Sequence, residues 1–490
     1  MSFYMYDIGF LVLFCLIVGI FLYKKRANLK REGIMYLYRT KVGIKFINYI
    51  GTKYKKTISV LSVLGVISGY ILMSSMVYFL YRLVYIYVFM PDVVKAIKIP
   101  PLMPLIPYLP EAFKISFLPP FYFTYWIIAI AVIAVFHEFS HGIVARRYGI
   151  KIKTTGFGFL GPFLAAFVEP DEKQMQKKPK FQQIAILSAG TFMNLILAGI
   201  FFLILALFFI SMYTPSGAIF NTYTPGIVNI SSITMIGGAV ISNSNSQGII
   251  NLINKDNLTN DLTLGSNGNS FNLTKIISGN KTYFLKINEL KNQLENNPDS
   301  ELVVLYNDLP AIESGLKGII IKINNDDIKD YENLGIVLKK YQPGDKIKIT
   351  TKDNNEIFEY NIELGEDPDQ KDRAVIGIGF LGTQRTGIMG KILDYFSFYK
   401  NSQTNYEPRF NSEFTIFIYN LIWWLALINL SVALINMWPM AIFDGGRMFM
   451  LTIWAITKSE KFAQTIFRIL TYIILGALLV LMWGWFVAIF

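Results

Sequence analysis

The 490-residue chain holds one cysteine and two histidines. The lone Cys15 excludes an intrachain disulfide and any Cys₄ or Cys₂His₂ metal site, so a metal ion would have to be held by imidazole and carboxylate. Charge is scarce as well: Asp, Glu, Lys and Arg make up 16% of the residues, against 53% hydrophobic. That balance is too apolar for an ordinary soluble protein, and the length is too great for one domain. No long internal repeat stands out, which counts against the duplicated architecture of many transporters.

What fills the chain is apolar runs long enough to cross a bilayer, near 6–23, 57–90, 120–147, 181–212, 413–438 and 465–490. The expectation is an α-helical polytopic membrane protein with six transmembrane helices, placed in the cell membrane. The first run lacks a basic region before it and a small-residue cleavage site after it, and reads as a retained anchor. The net charge of +12 clusters beside the spans rather than on one amphipathic surface, so it predicts no nucleic-acid partner. Eleven Lys and Arg lie between Lys24 and Lys56 and eight between Arg146 and Lys180. By the positive-inside rule both loops are cytoplasmic, which places 91–119, 213–412 and both termini outside. Arg447, Lys458, Lys461 and Arg468 then fall inside, as the rule requires.

The organisation expected from composition runs as follows. Residues 1–90 carry two spans and a basic loop, and 91–119 form an external loop with eight prolines from Pro91 to Pro120 that lies on the membrane surface or caps the bundle. Residues 120–212 and 413–490 form the core spans, and Gly156–Val168 reads as extended segments joined by glycine turns. Between the core spans, 213–300 are an insert with sixteen asparagines in 221–300, and 301–365 alternate with the two-residue period of strands. A linker, 366–412, follows. Sequons at Asn229, Asn257, Asn272 and Asn280 agree with an external location.

The two histidines stand four residues apart with a glutamate second: His137, Glu138, His141. On a helix, positions i and i+4 share a face, so both rings reach one metal ion while Glu138 sits beside an open coordination position, the HExxH arrangement of zinc hydrolases. Two histidines thrown at random into the chain would give this pattern in roughly one case in several thousand, so chance is a weak explanation. Simple packing of two polar rings is also disfavoured, because three ionisable groups in one turn of a membrane helix are costly to bury. The third ligand should be a carboxylate on another span. Asp444 is the candidate: Pro439, Gly445 and Gly446 break the helix around it and let the backbone turn its carboxylate inward. Two histidines, one carboxylate and a water would complete a site for one Zn²⁺ per chain.

HExxH in one span followed by NxxPxxxxDG in a later one, here Asn436, Pro439, Asp444 and Gly445, resembles the site-2 protease family of intramembrane zinc metalloproteases. The resemblance extends to Gly190 and Asn194 of a GxxxN stretch and to the glycine-rich hairpin. It also takes in a PDZ-like α+β domain, inserted on the extracytoplasmic side and carried by Leu309, Pro310, Ala311, Gly315 and Leu316 and by Pro343-Gly344-Asp345. The usual GLKxGDxI stretch appears as Gly315-Leu316-Lys317-Gly318-Ile319, two residues short, which implies an altered or closed ligand groove. Phe443 stands where leucine is common.

The resemblance implies hydrolysis of peptide bonds within transmembrane segments of bilayer-embedded protein substrates, with Glu138 as base and His137, His141 and Asp444 as metal ligands. It assigns Asn436 to substrate backbone; Asn194 is a second such candidate, or else part of a close-packing face with one interhelical hydrogen bond. A peptide or a substrate's external part is the partner implied for the PDZ-like domain. The alternatives are an inactive scaffold of the same fold, which has no need of Glu138, and a metal-ion transporter, which needs polar groups along a whole pathway.

Overall fold

The computed structural model describes residues 3–489 except 34, 91–93, 95–99, 102, 114, 116–117, 161–162, 242, 256–257, 259–261, 267–268, 355, 369 and 381–397. The chain divides into two compact units, one of residues 1–208 with 416–490 and one of residues 209–415.

In the first unit the elements are α1 (Phe3–Lys25), β1 (Leu29–Glu32), β2 (Met35–Thr40), α2 (Ile44–Lys53), α3 (Lys55–Phe89), α4 (Phe123–Arg147), β3 (Ile152–Leu160), β4 (Phe163–Pro170), α5 (Lys180–Met212), α6 (Ser412–Asn436), α7 (Asp444–Thr457) and α8 (Glu460–Ile489). Among the described residues, six helices are long and apolar enough to cross a membrane: α1, α3, α4, α5, α6 and α8. They fall on the six apolar runs. A continuous helix is what such a run must form in lipid, where each backbone group needs a partner within its own segment.

The helices meet through small and flexible side chains. Ala145 of α4, Ala185 of α5, Ala433 of α6, Met437 just beyond it, Met448 of α7 and Ile47 of α2 are all fully buried in one cluster. Small residues at such contacts let backbones approach closely, which lipid-surrounded helices need because no hydrophobic force drives them together.

The glycine-rich stretch after α4 is the hairpin β3–β4, with Phe157 opposite Ala166. The basic loop before α3 contributes two further strands, giving the antiparallel order β1-β2-β3-β4, with Leu37 opposite Gly158. Arg39 on β2 reaches Glu169 on β4 at 3.3 Å and Glu32 on β1 at 2.6 Å, and the Thr154 hydroxyl donates to Glu169 at 2.7 Å. These bonds tie the outer strands into one register. β4 is left as an edge strand.

α6 ends at Asn436 and α7 begins at Asp444, with a tight turn between them. Pro439 cannot donate a helical hydrogen bond, and Met437 and Trp438 close the helix end by bonding Leu434 and Ile435 at 3.0 Å. A Cβ at Gly445 or Gly446 would run into the backbone of Met437 or Met440. Both glycines are therefore required for the turn to fold back and deliver Asp444.

The second unit holds two larger sheets. One joins strands 225–229, 302–307, 281–285, 269–278, 233–236 and 239–240 in that order, with 262–266 pairing 269–278. Its core buries Ile233, Ile236, Ile249, Ile276, Leu290 and Leu305 completely. The described residues of the asparagine-rich stretch are thus folded, and the strand at 302–307, expected to open the next domain, is an interior strand of this sheet. A compositional boundary at 300/301 misses this because strand partners are chosen by tertiary pairing rather than local composition.

The other sheet runs 356–363, 346–353, 319–323, 213–218, 404–408. A helix at Tyr331–Leu338 is capped by Asp330, which accepts from Asn333 N at 2.8 Å. The two strands that flank the inserted sequence pair with each other, Ala218 opposite Thr404. Asn229, Asn272 and Asn280 are exposed; Asn257 lies outside the described residues.

Candidate active site and metal centre

α4 presents His137 and His141 one turn apart, and their Nε2 atoms lie 3.1 Å from each other. Asp444 Oδ2, at the first residue of α7, is 3.6 Å from His137 Nε2 and 3.4 Å from His141 Nε2. Three ligands at zinc bond lengths of about 2.0–2.2 Å in a tetrahedron stand about 3.3–3.6 Å apart. The observed triangle therefore fits one tetrahedral ion with a fourth position open. One Glu138 carboxylate oxygen also lies within 4.8 Å of the ring nitrogens, but Glu138 Oε2 accepts from Val168 N of β4 at 3.1 Å. Of the two carboxylates, Asp444 is the closer and Glu138 is the one held beside the triangle.

The space for an ion comes from α5. A Cβ at Gly190 would lie 2.6 Å from His137 Nε2 and closer still to His141 Nε2. Only a residue without a side chain leaves the ring nitrogens free.

The second ring nitrogens are engaged. His141 Nδ1 is 2.6 Å from the carbonyl oxygen of Ile186; since that oxygen can only accept, Nδ1 carries the proton and the Nε2 lone pair faces the triangle. His137 Nδ1 is 3.0 Å from the side-chain amide of Asn194, which is fully buried and whose Oδ1 has no partner among the described residues. Turning that amide by half a revolution, an interchange of two nearly isosteric groups, puts Oδ1 on His137 Nδ1–H and frees His137 Nε2 for a metal. An orphaned acceptor on the outer side of one ligand is what a site fitted for a cation leaves when the amide faces the other way.

An apolar cavity of about 380 Å³ opens beside His137 and Glu138, walled by Trp126, Ile130 and Ile133 of α4, by residues 164–166 of β4 and by Ile428 and Val432 of α6. A larger cavity of about 840 Å³ lies in the second unit, between helix 331–338 and residues 367–378. It contains none of the residues singled out above. The chemistry follows the side chains, so the smaller cavity is the relevant one.

The structure thus brings together His137, Glu138, His141, Asp444 and Asn194. Asn194 makes an interhelical bond to a ring. Asn436, half-buried at the end of α6, is not joined by any described hydrogen bond to this group. Three contributors have no signature in residue type: the N–H of Val168, the carbonyl of Ile186, and the empty side of Gly190, which the sequence offers only as the first residue of GxxxN. Beyond the membrane helices, the Thr154 hydroxyl and then Arg39 hold the Glu169 carboxyl below the usual carboxylate range.

Residues 125–481 match a family model described as Peptidase family M50. Over 198 residues the chain is 31% identical to a protein of Methanocaldococcus jannaschii named "Uncharacterized protein MJ0971", an alignment that covers 38% of this chain and 48% of that protein. The chain spans about half the length of the curated relative it matches.

Proposed function

Because the chain belongs to peptidase family M50, the site-2 protease family, we propose that it is an intramembrane zinc metalloprotease that hydrolyses peptide bonds within the transmembrane segments of membrane-anchored proteins. It is a multi-pass integral membrane protein, with six helices of spanning length and the family match extending over four of them. The observation that carries the reading is the triangle of His137 Nε2, His141 Nε2 and Asp444 Oδ2, 3.1–3.6 Å on a side, with Glu138 beside it on an apolar cavity.

A zinc ion held by these three residues would polarise the scissile carbonyl and lower the pKa of a water molecule. Glu138 takes the proton of the attacking water and passes it to the leaving amine. Its Oε2 is tethered by Val168 N–H, so the carboxylate keeps one orientation through both transfers. Asn194 and the Ile186 carbonyl orient the two rings from behind, and we assign Asn194 to that task rather than to substrate. Asn436 is left as the contact for substrate backbone.

A helical substrate hides its amides in its own hydrogen bonds and has to unwind before attack. The edge strand β4, whose residues 164–166 wall the cavity, offers backbone partners to the unwound segment by strand addition. Topology follows the charge reading: residues 24–56 and 146–180 face the cytoplasm, and the second unit lies outside. There the PDZ-like part would meet the external portion of a substrate and select by its size or its cut end.

The test is cleavage of a panel of model transmembrane segments by the purified protein, with Glu138→Ala and a chelated sample beside it. Cleavage by the parent alone supports the reading. Cleavage that survives in Glu138→Ala overturns it.

A further inference from the structure

We propose that Asp7 is a positioning residue that binds α1, the Leu105–Tyr108 stretch and the first turn of α4 into one unit, fixing the wall of the apolar cavity that Leu105 and Trp126 form. A carboxylate near the start of an apolar helix is costly to bury and persists only where its oxygens are fully used. Asp7 is 1% exposed. Its Oδ2 accepts from Phe123 N at 2.7 Å and from the Tyr108 hydroxyl at 2.5 Å, and its Oδ1 accepts from Thr124 N at 2.9 Å and the Thr124 hydroxyl at 2.5 Å. Among the described residues no Lys or Arg pairs with it. The compensation comes from two free N–H groups at the positive end of the helix dipole.

Those two N–H groups begin the helix that carries HExxH. Tyr122, the residue preceding the helix, offers no side-chain cap, so the cap is supplied by another helix 116 residues away in sequence. The same carboxylate holds the proline-rich segment through Tyr108, whose N–H bonds Phe121 O at 2.8 Å. That segment touches the cavity: Trp126 Nε1 donates to Leu105 O at 2.9 Å, and both residues line it together with His137 and Glu138. Much of α1 beyond Asp7 is exposed, with Val12, Leu13, Leu16 and Ile17 all more than half uncovered. Asp7 is therefore a directional link between α1 and this cavity wall. His137 lies fourteen residues further along α4, about 21 Å at the helical rise, so Asp7 acts through the helix and the loop and touches no reacting group.

The proposal rests on the protease reading for its kinetic arm only. In the full-length protein with Cys15→Ser, the thiol introduced by Ile130→Cys in the cavity wall is alkylated with a water-soluble maleimide. The rate is compared in Asp7 parent, Asp7→Ala, Asp7→Asn and Tyr108→Phe, with zinc content and cleavage kinetics measured on the same samples. Asp7→Ala should raise the alkylation rate at least tenfold while zinc stays at one per chain. Asp7→Asn, which keeps one acceptor oxygen for the cap, should recover most of the protection, and Tyr108→Phe, which frees the loop alone, should fall between. Where cleavage is observed, Asp7→Ala should change KM more than kcat. Alkylation within twofold of the parent in both Asp7→Ala and Tyr108→Phe overturns the proposal, as does Asp7→Asn behaving like Asp7→Ala. If Asp7→Ala does not fold, Tyr108→Phe decides alone. The alkylation arm stands even if the parent cleaves nothing.

Discussion

Replacing Gly190 by alanine adds one methyl group between the two histidine rings. The new carbon would lie 2.6 Å from His137 Nε2, about 0.9 Å inside ordinary contact at roughly 3.5 Å. The helices are locked by neighbouring contacts, so the rings have to swing away. Each swing breaks the bond at the rear of the ring, His141 to Ile186 O and His137 to Asn194. Two such bonds cost about 1 kcal/mol each in stability, a loss the fold should survive. For the metal the loss is larger: disturbing the outer partner of a ligand lowers affinity about 10–100-fold, so two together give about 10²–10⁴, before the methyl's own occupation of the site. Gly199→Ala on the same helix is the control, because a Cβ there meets nothing within 4 Å and should stabilise slightly if at all. The assay is zinc per chain after equilibration in chelator-buffered zinc, with thermal melting alongside. Zinc affinity within tenfold of the parent in Gly190→Ala would refute the geometry.

Asn194→Ala should lower zinc affinity about 10–100-fold through loss of His137 orientation, read by chelator competition, whereas a residue serving substrate alone would leave affinity unchanged. Glu169 is held below its usual pKa by Thr154 and Arg39, so its bonds stabilise the sheet above the ordinary glutamate pKa of about 4.3 and lose that effect as pH falls through the lower folded value. Glu169→Gln should therefore be less stable than the parent at pH 7 by no more than about 0.5 kcal/mol, the carboxylate being partly exposed, and the gap should vanish in acid; a gap that widens in acid would contradict the sign. Because Ala218 pairs with Thr404, residues 219–403 can be replaced by a short turn. That variant should keep one zinc and cleave substrates with bulky external parts that the parent rejects, and unchanged selectivity in a cleavage panel would dispose of the screening role.

The spans were legible because lipid imposes one pattern on any crossing segment, and the triangle because i, i+4 spacing and a proline-glycine break are local features. Elements held by distant partners were not. β1 and β2 lie in a stretch whose charges announce topology, and the pairing of β2 with β3 joins residues about 120 apart. In 225–307, sixteen-fold asparagine repetition hides the buried Ile233, Ile236 and Ile276 that close a core. Asp7 is visible as one carboxylate in an apolar run, yet nothing near it in sequence names Thr124 or Tyr108 as its partners. The Val168 N–H and the Ile186 carbonyl are backbone groups, which every residue has, and only the fold selects them.

The central claim is that Glu138 performs chemistry on a metal ion that His137, His141 and Asp444 hold. It is tested most directly by measuring zinc content and transmembrane-segment cleavage together in parent, Glu138→Ala and Asp444→Ala. The account predicts one zinc and cleavage in the parent, one zinc without cleavage in Glu138→Ala, and neither in Asp444→Ala. Zinc lost from Glu138→Ala but retained in Asp444→Ala would reverse the roles of the two carboxylates and contradict it.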